Sequence, residues 1–522
     1  AMFFEKLRRQ CENQKDMRTF RGDLPETDYV VGATSTARET TRNRCTHDLL
    51  PTAERWAAVA SLLTGAAYPD QELAQAYDNM LLYDEHTWGM HSGLQVSRRQ
   101  DWSWADKARY AYRAAGLAEG VLDRSVHHLA GAVRRTEQGR YIMVFNPLLF
   151  ARTDVVRLAD FGAPEQGFDP VHPPELVDME TGARLRCQIV EISSAQAPAQ
   201  DAAFRHGRGQ FNPPQRFELV FAAEEAPPLG WKTYRLVPAA QKGESAKSAV
   251  SARKPSEDDA QPSAAKEARS SEKSSPDQTT SDSSLRIGQN TLENRYFRLV
   301  LDPQTGAIQS LYDKQFRREL VDPDAPHGLG QLVVKEVKTA QLAPAQKAVI
   351  RTGQTGPVYA SLLVTTQAPG CPQVSQEIIL YEKLKRVDLA VRLLRDATAM
   401  LELYVAFPFR MEKPQFALEG PMSVIRPFED QLPGSNTNYY AMQHWAAVSD
   451  GRHSVVMTPL EAHLVEFGGL WPCYTSQAHH GFTAPDFGRP FVKPEDIIKG
   501  YIYSFIHASN LRTNLPVVQQ AD

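Results

Sequence analysis

The sequence predicts an α+β protein of several domains, an antiparallel helical bundle followed by a large antiparallel β-sandwich region. Three observations predict it. Apolar residues recur with the helical period up to about residue 130. From Tyr141 the period shortens to that of strands bounded by turn residues. Between the two β stretches, residues 240–285 hold almost no large apolar side chain. The expected division is a helical domain over 1–135, a β domain over 136–239, an insert over 240–285 and a large β-sandwich domain over 286–522. A chain of 522 residues has room for such a set, each part with its own core.

The helices come first. Ala1 to Leu7 is already amphipathic. Ala53, Trp56, Ala57, Ala60 and Leu63 then form one apolar stripe. Pro69-Asp70 reads as the next helix start, and Leu73, Ala76, Tyr77, Met80 and Asp84 keep helical spacing behind it. After a loop from Gly89 to Trp102, Ser103-Trp104-Ala105-Asp106 has the form of a capping box with Asp in place of Glu. It predicts a long helix with Ala108, Ala111, Tyr112, Ala115, Leu122, Val126 and Leu129 on its apolar side. Short connections make these neighbours antiparallel. His127-His128 near the end are adjacent, about 100° apart on a helix, so they do not chelate one ion easily; a cation near a helix C-terminus is the simpler account.

Strands are predicted at Tyr141–Phe145, Val155–Leu158, Glu175–Asp178, Arg186–Val190, Arg216–Phe221 and Pro228–Leu236. The insert is rich in Ser, Ala, Lys, Glu, Asp and Pro and cannot bury enough surface to offset its ordering entropy, so a solvated loop is expected. Leu292–Asp302 and Ile308–Lys314 then form a hairpin whose Gly306 suits a turn of positive φ. Further strands are expected at Ala360–Thr366, Gln376–Tyr381, Val387–Leu394, Glu402–Phe407 and Tyr501–Phe505.

Composition narrows the function. A net charge of −4 with no long basic stripe argues against a nucleic-acid partner. No apolar run approaches the ~20 residues of a membrane span. The five cysteines (11, 45, 187, 371 and 473) are scattered, with no Cys-x-x-Cys, which implies reduced thiols and predicts a cytoplasmic setting.

The densest chemistry lies at Tyr83-Asp84-Glu85-His86-Thr87-Trp88-Gly89, at a helix end. There an imidazole can bind a metal, and carboxylates can grip sugar hydroxyls or orient the imidazole. The same stretch also reads as a polar helix end with a half-buried Trp. In the loop 432–445, Tyr439, Tyr440 and Trp445 are candidates to stack on a pyranose ring, or to anchor the loop on the sandwich. His479-His480 have no acidic residue or Cys at ligand spacing beside them.

The heptapeptide at 83–89 resembles the Asp-Glu-His-Thr-Trp-Gly signature of one branch of glycoside hydrolase family 38, the α-mannosidases. Phe20–Pro25, Ser35–Arg38, Asn43 through Glu54, Val144–Pro147, the strand at 228–236 and the hairpin from Leu292 also resemble that family, as do Tyr501–Phe505 and Asn514. The resemblance implies a large sandwich of the galactose-mutarotase type and an α-mannoside or other glycan as substrate. It implies a zinc ion, with His86 as the ligand from this chain, and Asp84, Glu85, Trp88, Tyr439, Tyr440 and Trp445 as substrate-binding candidates. Thr87 stands where other branches have Asp. His47-Asp48 also resembles the family's His-Asp pair, but it falls on an earlier helix and is expected to be structural. The family's N-terminal barrel, with its His-x-Asp metal motif and aspartate nucleophile, has no counterpart here, so no catalytic residue is identifiable in this chain. The expectation is the C-terminal part of an α-mannosidase-like enzyme, inactive alone, with self-association as an option. The alternative is a non-catalytic carbohydrate-binding sandwich protein; a polysaccharide lyase sharing the sandwich type would need a base set that nothing marks.

Overall fold

The structure is a computed structural model that describes residues 2–11, 22–25, 33–85, 98–133, 138–159, 174–192, 216–237, 283–337, 339–398, 400–471, 491–509, 511–512 and 516–517. It is α+β. Among the described residues four α-helices, α1 (Met2–Cys11), α2 (Ala37–Thr64), α3 (Asp70–Asp84) and α4 (Arg98–Ala132), precede the larger strands. α2, α3 and α4 pack through Leu50, Ala53, Ala57, Leu73, Ala76, Met80, Ala114, Ala118 and Val121. Five of these nine are alanines, which let the helix axes approach closely. Gly65 ends α2 at φ +74°, its N–H donating to the Ser61 carbonyl at 3.1 Å, the left-handed stop that Gly supplies without strain.

Two expectations are corrected here. α4 begins at Arg98, so the Ser103 capping box lies inside a helix that starts about a turn earlier. Leu63, placed on the apolar stripe of α2, is 63% exposed because the packed face ends at Ala60. Pro51 sits inside α2 without ending it. Having no N–H, it leaves the His47 carbonyl without its intrahelical donor, and Thr52 Oγ1 donates to the neighbouring Asp48 carbonyl at 2.8 Å.

The first β domain is two antiparallel sheets. One runs in the order Tyr141–Asn146, Gly230–Val237, Glu175–Asp178, Arg184–Arg186, the other Arg152–Leu158, Arg216–Ala226, Gln188–Ile192. The single strand expected at 186–190 is thus two strands in different sheets, divided at Cys187, whose buried side chain joins Leu176, Leu219, Phe221, Ala223 and Tyr234 in the core between them. Trp56 meets Phe145 edge-on at 5.0 Å between ring centroids and fastens the bundle to this domain.

The larger β domain is built around a six-stranded sheet ordered Leu342–Pro344, Leu332–Glu336, Leu401–Phe409, Gly500–Ala508, Leu464–Phe467, Tyr440–Ala441. Among its other sheets is the antiparallel set Gln346–Thr355, Tyr359–Ala368, Cys371–Tyr381, Val387–Leu394. Gly306 has φ +72°, and a Cβ there would stand 2.3 Å from Val364 Cγ1, so both backbone and space require glycine. The stretch 292–302 is two short strands, Thr291–Glu293 and Phe297–Leu301, because Asn294 Oδ1 accepts from the amides of Tyr296 and Phe297 and turns the chain.

The two β domains are joined firmly. Gln188 Oε1 accepts from the amides of Val358 and Tyr359, and Arg157 lies 4.7 Å over the Tyr359 ring. At Gly356 a Cβ would come within 2.2 Å of the Gln188 side chain. Beneath the six-stranded sheet a charged group is fully enclosed. Lys335 Nζ pairs with Glu402 Oε2 at 3.1 Å and donates to the Trp471 carbonyl at 2.8 Å, while Trp471 N–H donates to Glu466 Oε2 at 2.6 Å. No helix among the described residues is long and apolar enough to cross a membrane.

Candidate functional site

The signature begins where α3 ends, and three elements fix that end. Tyr83 is buried and its hydroxyl meets Thr40 Oγ1 of α2 at 3.0 Å; burial pushes its phenol up to about 12. Lys107 of α4 is 5% exposed and donates through Nζ to the Leu82 carbonyl at 2.9 Å and to that of Glu85. An ammonium among the last carbonyls of a helix both satisfies them and complements the dipole. Burial lowers the Lys107 pKa, opposed by Glu85, whose Oε2 lies 3.5 Å away. Lys107→Met is expected to free the end of α3 at a cost of about 1–3 kcal/mol. Hydrogen exchange should quicken at the Tyr83–Glu85 amides and stay slow at Leu50 and Ala53; unchanged exchange at 83–85 would count against the cap.

Asp84, the last residue of α3, faces α2. Its Oδ1 accepts from Asn43 Nδ2 at 2.7 Å and its Oδ2 lies 3.0 Å from His47 Nε2. The hydrogen bond to Asp84 raises the His47 pKa, against the lowering effect of burial. Asn43 and His47 are one turn apart, on one face of α2. His47 and Asp48 are both exposed on the surface of α2. Asp48 Oδ1 lies 3.0 Å from His444 Nε2, and His444 Nδ1 lies 3.0 Å from Glu419 Oε2. Beside them Arg44 donates to the carbonyls of Met442 at 3.0 Å and Leu460 at 3.2 Å, and burial lowers its pKa. The end of α3 is thereby tied through α2 to the larger β domain.

Sequence reasoning missed Asn43 and Lys107. Lys107 carried a usable signal, a lysine one turn before Ala111 on the apolar side of a helix. Asn43 carried none, because the face of α2 that meets α3 is set by packing. Of the expected site residues, Asp84 and Glu85 sit together at the end of α3 with their carboxylates partly exposed. His86 and Trp88 lie outside the described residues, as do His479 and His480.

Tyr439 and Tyr440 are a correction. They are 1% and 2% exposed, inside the core, so neither offers a ring face to a sugar. The Tyr440 hydroxyl donates to Gln431 Oε1 at 2.8 Å, and burial raises its pKa. The asparagines before them serve the backbone: Asn436 Nδ2 donates to the Tyr439 carbonyl, and Asn438 Oδ1 accepts from Val492 N–H. Trp445 is half-buried, its carbonyl accepting from Glu419 N–H at 3.0 Å. Among the described residues no group of three or more His, Cys, Asp or Glu side chains could hold a metal ion.

Residues 292–463 match the family model described as glycosyl hydrolases family 38 C-terminal domain. Over these residues the chain is similar to that domain. The solved structures agree in fold. An alpha-mannosidase from Enterococcus faecalis V583 superimposes with a TM-score of 0.63 at 14% identity, covering 96% of this chain and 58% of that one. A protein in glycosyl hydrolase family 38 from Enterococcus faecalis gives a TM-score of 0.59 at 14% identity, covering 96% and 59%. The likeness of fold to these two structures runs through the bundle and both β domains, and the chain spans less than two thirds of either neighbour's length. No curated protein sequence matches it.

Proposed function

We propose that this chain belongs to a retaining, zinc-dependent glycoside hydrolase that acts on α-mannosides, and that it supplies one metal ligand and part of the pocket wall. The observation that carries the reading is the family 38 C-terminal domain over 292–463. In this reading His86, the residue after Glu85, is the ligand, and Asp84 accepts a hydrogen bond from its second ring nitrogen, which fixes the tautomer and raises its basicity. Asn43 and His47 then position Asp84. A bound zinc would act as a Lewis acid on the hydroxyls of the sugar. Retention needs a nucleophile and an acid about 5 Å apart; no carboxylate of this chain is assigned to either role. The setting proposed is cytoplasmic, in keeping with free Cys45, Cys187 and Cys371.

The test is an aryl α-mannoside assay with added zinc on the 522-residue chain and on the longer protein that contains it. Turnover is expected only from the longer protein. Turnover by the chain alone, abolished by changing one of its own carboxylates, would overturn the division of labour; saturable glycan binding without turnover by either would favour the carbohydrate-binding alternative.

A further inference from the structure

A cavity of about 760 Å³ opens in the larger β domain, between the turn at 302–309, the segment 321–331 and the strands around 344–348. It lies within the ~300–1,000 Å³ range of small-molecule sites. None of its lining residues belongs to α2, α3 or α4, or to the loop around His444. Its walls are stiff: Pro303, Pro323, Pro326 and Pro344 line it. Asp302 Oδ1 accepts from the amides of Gln304 and Thr305 at 2.8 and 2.7 Å, which locks the turn.

The charged groups of the lining are mostly committed elsewhere. Asp322 accepts from the Tyr501 hydroxyl at 2.7 Å and from Lys499 at 3.1 Å, and Lys347 is an exposed side chain. Gln331 spends its amide on Gly328 N–H and the Ala345 carbonyl. Apart from Lys347, what remains is uncharged. Gln304, Gln309 and Gln346 have exposed amides, each able to donate and accept. His327 also lines the cavity, only 6% exposed, with Nδ1 3.1 Å from the Tyr503 hydroxyl. Burial lowers the His327 pKa and pushes Tyr503 up to about 12, so a neutral imidazole meets a protonated phenol. A phenol donating to Nδ1 leaves the proton on Nε2, a donor for a ligand. Paired amides and a neutral imidazole suit vicinal hydroxyls. A phosphate or carboxylate would find one exposed ammonium, Lys347, and no guanidinium fork to grip it in two places.

We propose that this cavity is a second carbohydrate site, which takes a neutral pyranose unit through the amides of Gln304, Gln309 and Gln346 and the ring of His327. The site is independent of the hydrolase reading, and failure of either leaves the other standing.

The test follows the histidine ring C–H resonances of the full 522-residue chain during titration with methyl α-D-mannopyranoside and methyl α-D-glucopyranoside, with His327 assigned through His327→Asn. A saturable shift of the His327 signal is expected with at least one sugar, at millimolar affinity. Gln309→Ala and Gln346→Ala change exposed side chains and keep the fold; each should weaken that binding about fivefold, the worth of one net hydrogen bond. No saturable shift at His327 with either sugar would overturn the proposal. So would a shift equally strong in both variants, or saturation by mannose 6-phosphate with neither neutral sugar binding.

Discussion

As the ligand in the function proposed above, His86 is expected, when changed to Ala in a longer protein with this chain as its C-terminal part, to cost bound zinc and α-mannosidase activity together while the fold survives. Removing a residue that merely supports a metal ligand costs about 10–100-fold, so loss of a ligand should exceed ~100-fold. The substitution follows the end of α3, which Lys107, Thr40 and Asn43 hold in place, so the bundle should keep its melting temperature. His127→Ala is the control. Its ring sits on the surface of α4 against Asp123 of its own helix and should leave metal content and rate unchanged. Metal analysis and an aryl α-mannoside assay on the same preparations decide it. Wild-type zinc and rate in His86→Ala would make the end of α3 purely structural.

The second large effect concerns stability. Lys335 is buried with Glu402 and Glu466, both fully enclosed. Burial raises the Glu466 pKa to about 7, helped by Glu402 and opposed by Lys335 and the Trp471 amide. Between an ordinary glutamate value and about 7, the folded protein holds a proton that the unfolded chain has released. Stability from this group therefore falls as pH rises through that window. Glu466→Gln keeps an acceptor for Trp471 N–H and removes the charge, so its melting temperature should match the parent near pH 5 and exceed it at pH 8. Lys335→Met should do the reverse. It leaves carboxylates buried without their cation, a loss of about 3–5 kcal/mol at pH 8. Thermal melts of the parent and both variants at the two pH values check this, and a Glu466→Gln melt below the parent at pH 8 would contradict it.

What could be read in the sequence was what depends on local period and turn chemistry. The stripes of α2 and α3, the strand Val387–Leu394 and the turn at Gly306 all follow from spacing and backbone freedom. What could not be read depends on which distant element arrives. Cys187 divides two strands because opposite sheets claim its neighbours, while the residues on either side keep one strand-like alternation. Tyr439 and Tyr440 follow a run of Asn, Ser and Thr that resembles a sugar-binding loop. Those polar groups are consumed by backbone, and the rings go inward. At the site, Asp84 and Glu85 were legible from the signature. Their partners Asn43, His47 and Lys107 come from helices whose facing sides only packing decides.

The firm joint between the two β domains bears on sequence variation. Val237 pairs with Glu175 in the first, and Ser283 and Ser284 are held by Glu382 in the second. Because Gln188, Arg157 and Tyr359 fix one domain against the other, the two anchor points are set by folded structure and not by the chain that links them. The composition of 240–285 is that of a solvated loop, and the entropy of closing a loop grows only as the logarithm of its length, by about 0.6 kcal/mol per doubling. Insertions and deletions between 238 and 282 should therefore accumulate in relatives almost without selection on stability, whereas a Cβ at Gly356 would have to push aside the Gln188 amide that accepts from Val358 and Tyr359, so substitutions there should be selected against.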